Sequence, residues 1–231
     1  MFQASEETDS KMKYKSRGEV ICDLAKKKIT GKTLCHIGCG TGEITQEFSK
    51  LAKKIIAIEI EEDKSKDAKK LNYGCETEIV HGDAYEYLKN LSTNPETFYF
   101  WAGFRPKVGG MQWWLEAVIK LFGELAPDVI FGISLSEHNG HYVDGIPLQL
   151  NTAKMIQKIY GGNILSGDYS KANERIPFGL FSINLKDLQI NEKTQVSKLW
   201  KIEYKTINEH KESSPTVNFE KYYMDRLGHK K

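Results

Sequence analysis

Thr33-Leu34-Cys35-His36-Ile37 runs straight into Gly38-Cys39-Gly40-Thr41-Gly42-Glu43. The first stretch is short, mostly apolar and halted by glycines, which suits a buried strand. The three glycines at alternate positions let the backbone turn sharply and let a ligand lie directly against it. Beyond them Ile44, Phe48, Leu51 and Ala52 recur at helical spacing. Strand, glycine loop and helix in that order open an α/β unit.

The same alternation continues outward from this stretch. Upstream, Lys13–Lys28 carries Val20, Ile21 and Leu24 at helical spacing and ends in a lysine run that suits a helix C-terminus. Downstream, strands are expected at Ile55–Ile60, Thr77–Val80, Phe98–Ala102 and Val129–Ile133. Helices are expected at Glu62–Leu71, Ala84–Leu91 and Gln112–Leu125 between them. Short connections of this kind close as right-handed crossovers, which predicts a doubly wound, mostly parallel sheet. After 148 the pattern changes. Leu148–Tyr160 reads as a helix and Gly161–Arg175 as a glycine-rich loop. Phe178–Leu185 and Leu199–Ile207 read as an antiparallel pair, for seven strands in all. The organisation expected is a flexible segment at 1–12, one domain at 13–207, and a tail at 208–231 with aromatics at Phe219, Tyr222 and Tyr223.

The chain has 231 residues, 40% hydrophobic and 28% charged, enough for one sizeable core and against wholesale disorder. No apolar stretch approaches the roughly 18 residues of a membrane span. The polar N-terminus has no apolar region of the kind a secretory signal needs. The net charge of +2 argues against a nucleic-acid partner. Cys22, Cys35, Cys39 and Cys75 show neither CxxC spacing nor a histidine-rich partner segment, so no metal site and no disulfide framework are expected. A reducing, cytoplasmic setting is the default for such cysteines.

Ligands of open parallel sheets bind beyond the carboxyl ends of the strands. Glu59 ends the second strand, 21 residues after Gly38, where a carboxylate can accept both hydroxyls of a ribose. Asp83 follows Gly82 after the third strand, where it either accepts from an adenine amine or caps the next helix. His81 just before it faces the adenine or is an ordinary strand-end histidine.

These three segments, in this order and each at a strand end, resemble the class I S-adenosylmethionine-dependent methyltransferases. The resemblance is close over about residues 30–90 and extends to about 207 through the strand order and the final antiparallel hairpin. It implies a Rossmann-like methyltransferase fold and S-adenosylmethionine as cofactor. Carried over by motif position, Gly38, Gly40 and Gly42 pack against the methionine part, Glu59 holds the ribose with Ile60 beside it, and Asp83 with Ala84 contacts adenine. Trp101, at the end of the fourth strand, joins the cofactor-binding set. The family usually has an acid two residues before the first glycine, near the cofactor's amino group; here that residue is His36. A neutral imidazole accepts a hydrogen bond there, whereas a protonated one repels the ammonium and sulfonium.

A dinucleotide is the main competing ligand, and Glu59 suits it equally well. Its fingerprint wants a final glycine or alanine where this chain has Glu43. At about 5 Å and an effective dielectric near 20, a carboxylate beside each phosphate charge costs roughly 3 kcal/mol. S-adenosylmethionine has no phosphate and meets no such penalty.

The acceptor is less legible. Trp101-Ala102-Gly103-Phe104 replaces the Asn/Asp-Pro-Pro-aromatic motif of the enzymes that methylate amino groups of adenine or glutamine. It also lacks the acid of ribose 2′-hydroxyl and metal-dependent catechol enzymes, and no Pro-Cys motif for cytosine C5 is present. What remains is aromatic. Trp101, Phe104, Trp113 and Trp114 either line an acceptor pocket, with Arg105 anchoring an anionic group, or pack as core. After the fifth strand, His138 and His141 lie near Glu137 and Tyr142; either histidine is a candidate general base, and the segment also reads as ordinary loop polarity. The leading expectation is a methyltransferase of a small molecule. The alternatives are an RNA or protein methyltransferase and a non-catalytic methyltransferase-like binding protein.

Overall fold

Strand β1 (Thr33–Ile37) lies between β2 (Lys54–Glu59) and β4 (Thr97–Trp101) and pairs in parallel with both. Outside β2 comes β3 (Glu76–His81), and outside β4 comes β5 (Asp128–Ser134), again parallel. The chain therefore leaves β1 in one direction and returns past it in the other. This switch between β1 and β4 opens a crevice at their carboxyl ends. The connecting helices are α1 (Arg17–Ile29), α2 (Glu43–Ser49), α3 (Glu62–Ala68), α4 (Ala84–Lys89) and α5 (Met111–Phe122). The computed structural model describes residues 14, 16–101, 111–135, 142–143, 146–171 and 174–188.

Side-chain alternation along the strands divides the core between the two faces of the sheet. Leu34, Ala57, Tyr99, Ile130 and Phe178 pack with Val20, Ile21, Ala25 and Ile29 of α1 and Phe48 of α2. Cys35, Ile56, Phe98, Phe100 and Phe131 pack with α4, α5 and α6 (Leu148–Tyr160). Strands covered on both faces read as nearly continuous apolar runs, which is why the parallel part of the sheet is visible in the sequence.

Two expectations for the C-terminal side are corrected. Residues expected to form a loop at Gly161–Arg175 instead form strand β8 (Asn163–Lys171). The strand expected at Phe178–Leu185 is β9 (Glu174–Asn184), and its partners are β5 on one side and β8 on the other, both antiparallel. Leu199–Ile207, expected as its partner, lies outside the described residues. Seven strands run in the order β3-β2-β1-β4-β5-β9-β8, with the antiparallel hairpin contributed by β8 and β9. Strands β6 (Tyr142–Val143) and β7 (Ile146–Pro147) form a separate small ladder. The pattern of β8 resembles a loop because an edge strand needs only one apolar face. Gly167 interrupts it where α1 presses in: an added Cβ would lie 3.0 Å from Val20 Cγ1.

At the opposite, amino end of the sheet, buried Asp128 accepts from Lys28 Nζ at 2.6 Å, Lys32 Nζ at 2.9 Å and Asn184 Nδ2 at 3.0 Å. One carboxylate so ties the end of α1, the turn into β1 and the end of β9 to β5. Among the described residues no helix is long and apolar enough to cross a membrane.

Candidate nucleoside crevice

The glycine loop turns because Gly38, Gly40 and Gly42 all hold positive φ, at 70°, 59° and 90°. The three glycines do different work. A Cβ on Gly40 would point into open space, whereas one on Gly42 would meet the Tyr73 hydroxyl at 2.6 Å and Ala68 Cα at 3.1 Å. Gly42 therefore lets α2 start against the end of α3, and Gly40 leaves the cleared surface on which a ligand can lie. Gly38 and Cys39 donate to the Ile58 carbonyl at 2.8 and 3.2 Å, which lashes the loop to β2. Glu43 begins α2 and is exposed, and a carboxylate in a first helical turn disfavours a phosphate bound at that turn.

Glu59 sits at the carboxyl end of β2 and is only 6% exposed. Its Oε2 accepts from the Gly40 N–H at 2.7 Å and its Oε1 from the Glu61 N–H at 2.9 Å. Each carboxylate oxygen has two acceptor sites. One on each oxygen is left after these bonds, the number that two vicinal hydroxyls would use. The Gly82 N–H donates to the Glu59 carbonyl at 2.9 Å, so the loop after β3 is held beside it. Ile60 next to this carboxylate is 51% exposed, an apolar side chain standing at the crevice mouth rather than in the core. Its place suits the flat face of a base.

Asp83 caps α4, its Oδ1 accepting from the Glu86 N–H at 3.1 Å, with Ala84 opening the helix. Of the two roles open in the sequence, the cap is formed. His81 is exposed at the end of β3.

His36 is buried at the end of β1. Its Nδ1 lies 2.8 Å from Thr45 Oγ1 on α2, and its ring meets Phe48 and Tyr99 edge-on at 5.5 and 5.0 Å between centroids. Burial, and then the Arg17 charge, lower its pKa to about 3. The imidazole is therefore neutral across the physiological range, and the repulsion expected of a protonated ring does not arise. Burial likewise pushes the Cys39 thiol in the loop up to about 12, so it packs as a small hydrophobe.

Trp101 ends β4 half-buried, stacked on Phe178 with 5.5 Å between centroids and 6° between planes. Gly132 on β5 makes room for this arrangement; a Cβ there would lie 3.1 Å from Trp101 Cε3 and run into the Tyr99 hydroxyl. The Arg17 guanidinium lies over the Trp101 ring, 4.4 Å from its centroid. Trp113 and Trp114 are core residues of α5, packed with Tyr85 and Phe100 respectively. Arg105 and Phe104, and the histidines His138 and His141, lie outside the described residues.

The structure so brings His36, Gly38, Gly40, Glu59 and Trp101 to one end of the sheet, around the β1–β4 switch. Arg17 and Thr45 join them, although no motif in the sequence marks either. With the helix expected from Lys13, Arg17 falls inside it; only the observed start at Arg17 puts a cation at the first helical position, against the helix dipole.

Residues 35–98 match the methyltransferase domain family. An uncharacterised RNA methyltransferase of Clostridium acetobutylicum is 34% identical over 94 residues, which are 39% of this chain and 20% of that protein. The chain thus spans about a fifth of the length of that curated relative. A candidate methyltransferase structure from Porphyromonas gingivalis W83 superposes with a TM-score of 0.53 at 15% identity, over 74% of this chain and 41% of that one. The precorrin-6Y C5,15-methyltransferase of Geobacter metallireducens GS-15 gives a TM-score of 0.47 at 16% identity, over 71% and 85%. The strand order is that of the Rossmann-like methyltransferase fold, and this chain has that fold.

Proposed function

We propose that this chain is an S-adenosylmethionine-dependent methyltransferase acting on a small-molecule acceptor. The observation that carries the reading is the Glu59 carboxylate. Its two oxygens are held by the Gly40 and Glu61 amides, which fixes the carboxylate against the glycine loop, where a Cβ on Gly40 would meet nothing. The residues fit the nucleoside: Glu59 for the ribose, Ile60 for a face of adenine, and the Gly38–Gly42 turn for the chain leading to sulfur. When bound, the cofactor supplies a methyl group on a positively charged sulfur, displaced in line by the acceptor. What the protein adds is alignment, which alone supplies roughly 7–11 kcal/mol of such a barrier. Neutral, buried His36 would add no second positive charge to a site holding that sulfur, and its bond to Thr45 holds the ring still.

A small acceptor is supported by the net charge of +2, which lacks the strongly basic balance usual in a polyanion binder. The likeness to an RNA methyltransferase over 94 residues favours RNA as a second reading. Titration calorimetry tests the cofactor assignment. S-adenosylmethionine and its demethylated product are expected to bind the wild type, NAD is not, and Glu59→Ala is expected to abolish binding. Binding of NAD in their place, or an unchanged affinity in Glu59→Ala, overturns it. Binding of RNA that falls steeply with salt would move the acceptor to RNA.

A further inference from the structure

Neither the glycine loop nor Glu59 accounts for Arg17. It is the first residue of α1, and because α1 leads through a short turn into β1, its N-terminus lies at the carboxyl end of the sheet, beside the crevice. A cation there stands at the positive end of the helix dipole, so its placement works against local stability. Rules of this kind are broken mainly where function requires it. Among the described residues no carboxylate pairs with it. Its guanidinium is held instead over Trp101, which is itself stacked on Phe178. Gly18, the next residue, lets α1 close on α2, since an added Cβ would lie 3.0 Å from Glu47 Cγ. The guanidinium is thereby fixed relative to the glycine loop, and it is near enough for its charge to disfavour protonation of His36.

A held cation without a counter-ion among the described residues, over Trp101 at the end of the sheet that carries the glycine loop, is a seat for an anion. We propose that Arg17 receives the carboxylate at the methionyl end of the cofactor. Recognition of the amino-acid end then rests on a cation at α1 instead of on an acid at residue 36, where this chain has a neutral histidine. The inference rests on the methyl-donor reading above. Trp101 orients the planar guanidinium so that its edge donors remain available for a two-oxygen contact.

A comparison of two ligands on two proteins tests it by calorimetry. S-adenosylhomocysteine and its decarboxylated analogue are titrated into the wild type and into Arg17→Gln. The wild type is expected to prefer the carboxylate-bearing ligand by roughly 10- to 100-fold, the loss typical of one charge-assisted contact. Arg17→Gln is expected to bind the two alike, and to bind the decarboxylated analogue at least as tightly as the wild type does. That last result also shows the variant to be folded. Arg17→Lys, which keeps the charge and loses the planar fork, is expected to retain part of the preference. A full preference in Arg17→Gln, or none in the wild type, overturns the assignment to Arg17 while leaving the cofactor reading standing. The first of these outcomes is also the one expected if Arg17 serves an anionic group on the acceptor. If the wild type binds neither ligand, the cofactor reading fails and the role of Arg17 with it.

Discussion

Burying an imidazole between Phe48 and Tyr99 couples its protonation to folding. An unfolded histidine titrates near 6.5, and burial, followed by the Arg17 charge, lowers His36 to about 3 in the folded protein. Above pH 6.5 neither state holds the proton and the full stability is present. Between about 6.5 and 3 only the unfolded chain takes up the proton, so stability falls by about 1.4 kcal/mol per pH unit from this group. Urea unfolding at pH 7 and pH 5 is expected to show that loss in the wild type and a smaller one in His36→Gln. Equal losses would mean that His36 stays accessible to protons. Single residues are unevenly legible at this scale. Glu59 stands out because an acid that ends a strand at a set distance from a glycine loop has few roles besides gripping a sugar. Arg17 does not, because its meaning depends on Trp101, which the fold brings to it from the end of β4.

Within the loop joining β1 to α2, two glycines that look alike in sequence separate on substitution. Gly40→Ala places a methyl group in open space at a φ of 59°. It is expected to cost only about 1–2 kcal/mol of stability while removing nucleoside binding. Gly42→Ala combines a φ of 90° with contacts at 2.6 and 3.1 Å to Tyr73 and Ala68. It is expected to cost about 2–4 kcal/mol, the strain adding to the overpacking. Paired thermal melts and ligand titrations check both; a variant at residue 40 that still binds would move the ligand off this surface. Elements are readable where both faces are covered. Strands β1, β2, β4 and β5 show as apolar runs because helices press on them from both sides. Strand β8 reads as loop because its polar residues and Gly167 belong to a sheet edge, with α1 packed against the glycine.

For the molecule as a whole, the candidate nucleoside crevice and the structural clamp lie at opposite ends of the sheet. Burial would raise the Asp128 pKa, but hydrogen bonds from Lys28, Lys32 and Asn184 outweigh it and hold the carboxylate below its ordinary range. Its contribution is present above the ordinary carboxylate pKa and is lost as pH falls through the lowered folded value. Asp128→Ala is expected to cost about 1–3 kcal/mol in urea melts at pH 7, with no change in nucleoside affinity. A change in affinity would mean that the two ends communicate. The parallel half of the architecture follows from strand–helix alternation, whereas the neighbours of β9 do not, because an antiparallel strand buried between two others has the same apolar look whichever strands they are.

That position of β9 has a consequence for synthesis on the ribosome. It is the last strand along the described chain, yet it hydrogen-bonds to β5 on one flank and β8 on the other. At roughly 5–20 residues per second, the segment bearing the glycine loop emerges several seconds before residue 184. Strand β5 itself ends at Ser134, about 50 residues before Asn184, and for the roughly 2.5–10 s that this length takes at such a rate it has an open flank that β8 alone does not close. Until β9 arrives, that flank of β5 is an unpaired strand edge of the kind open to pairing with another chain.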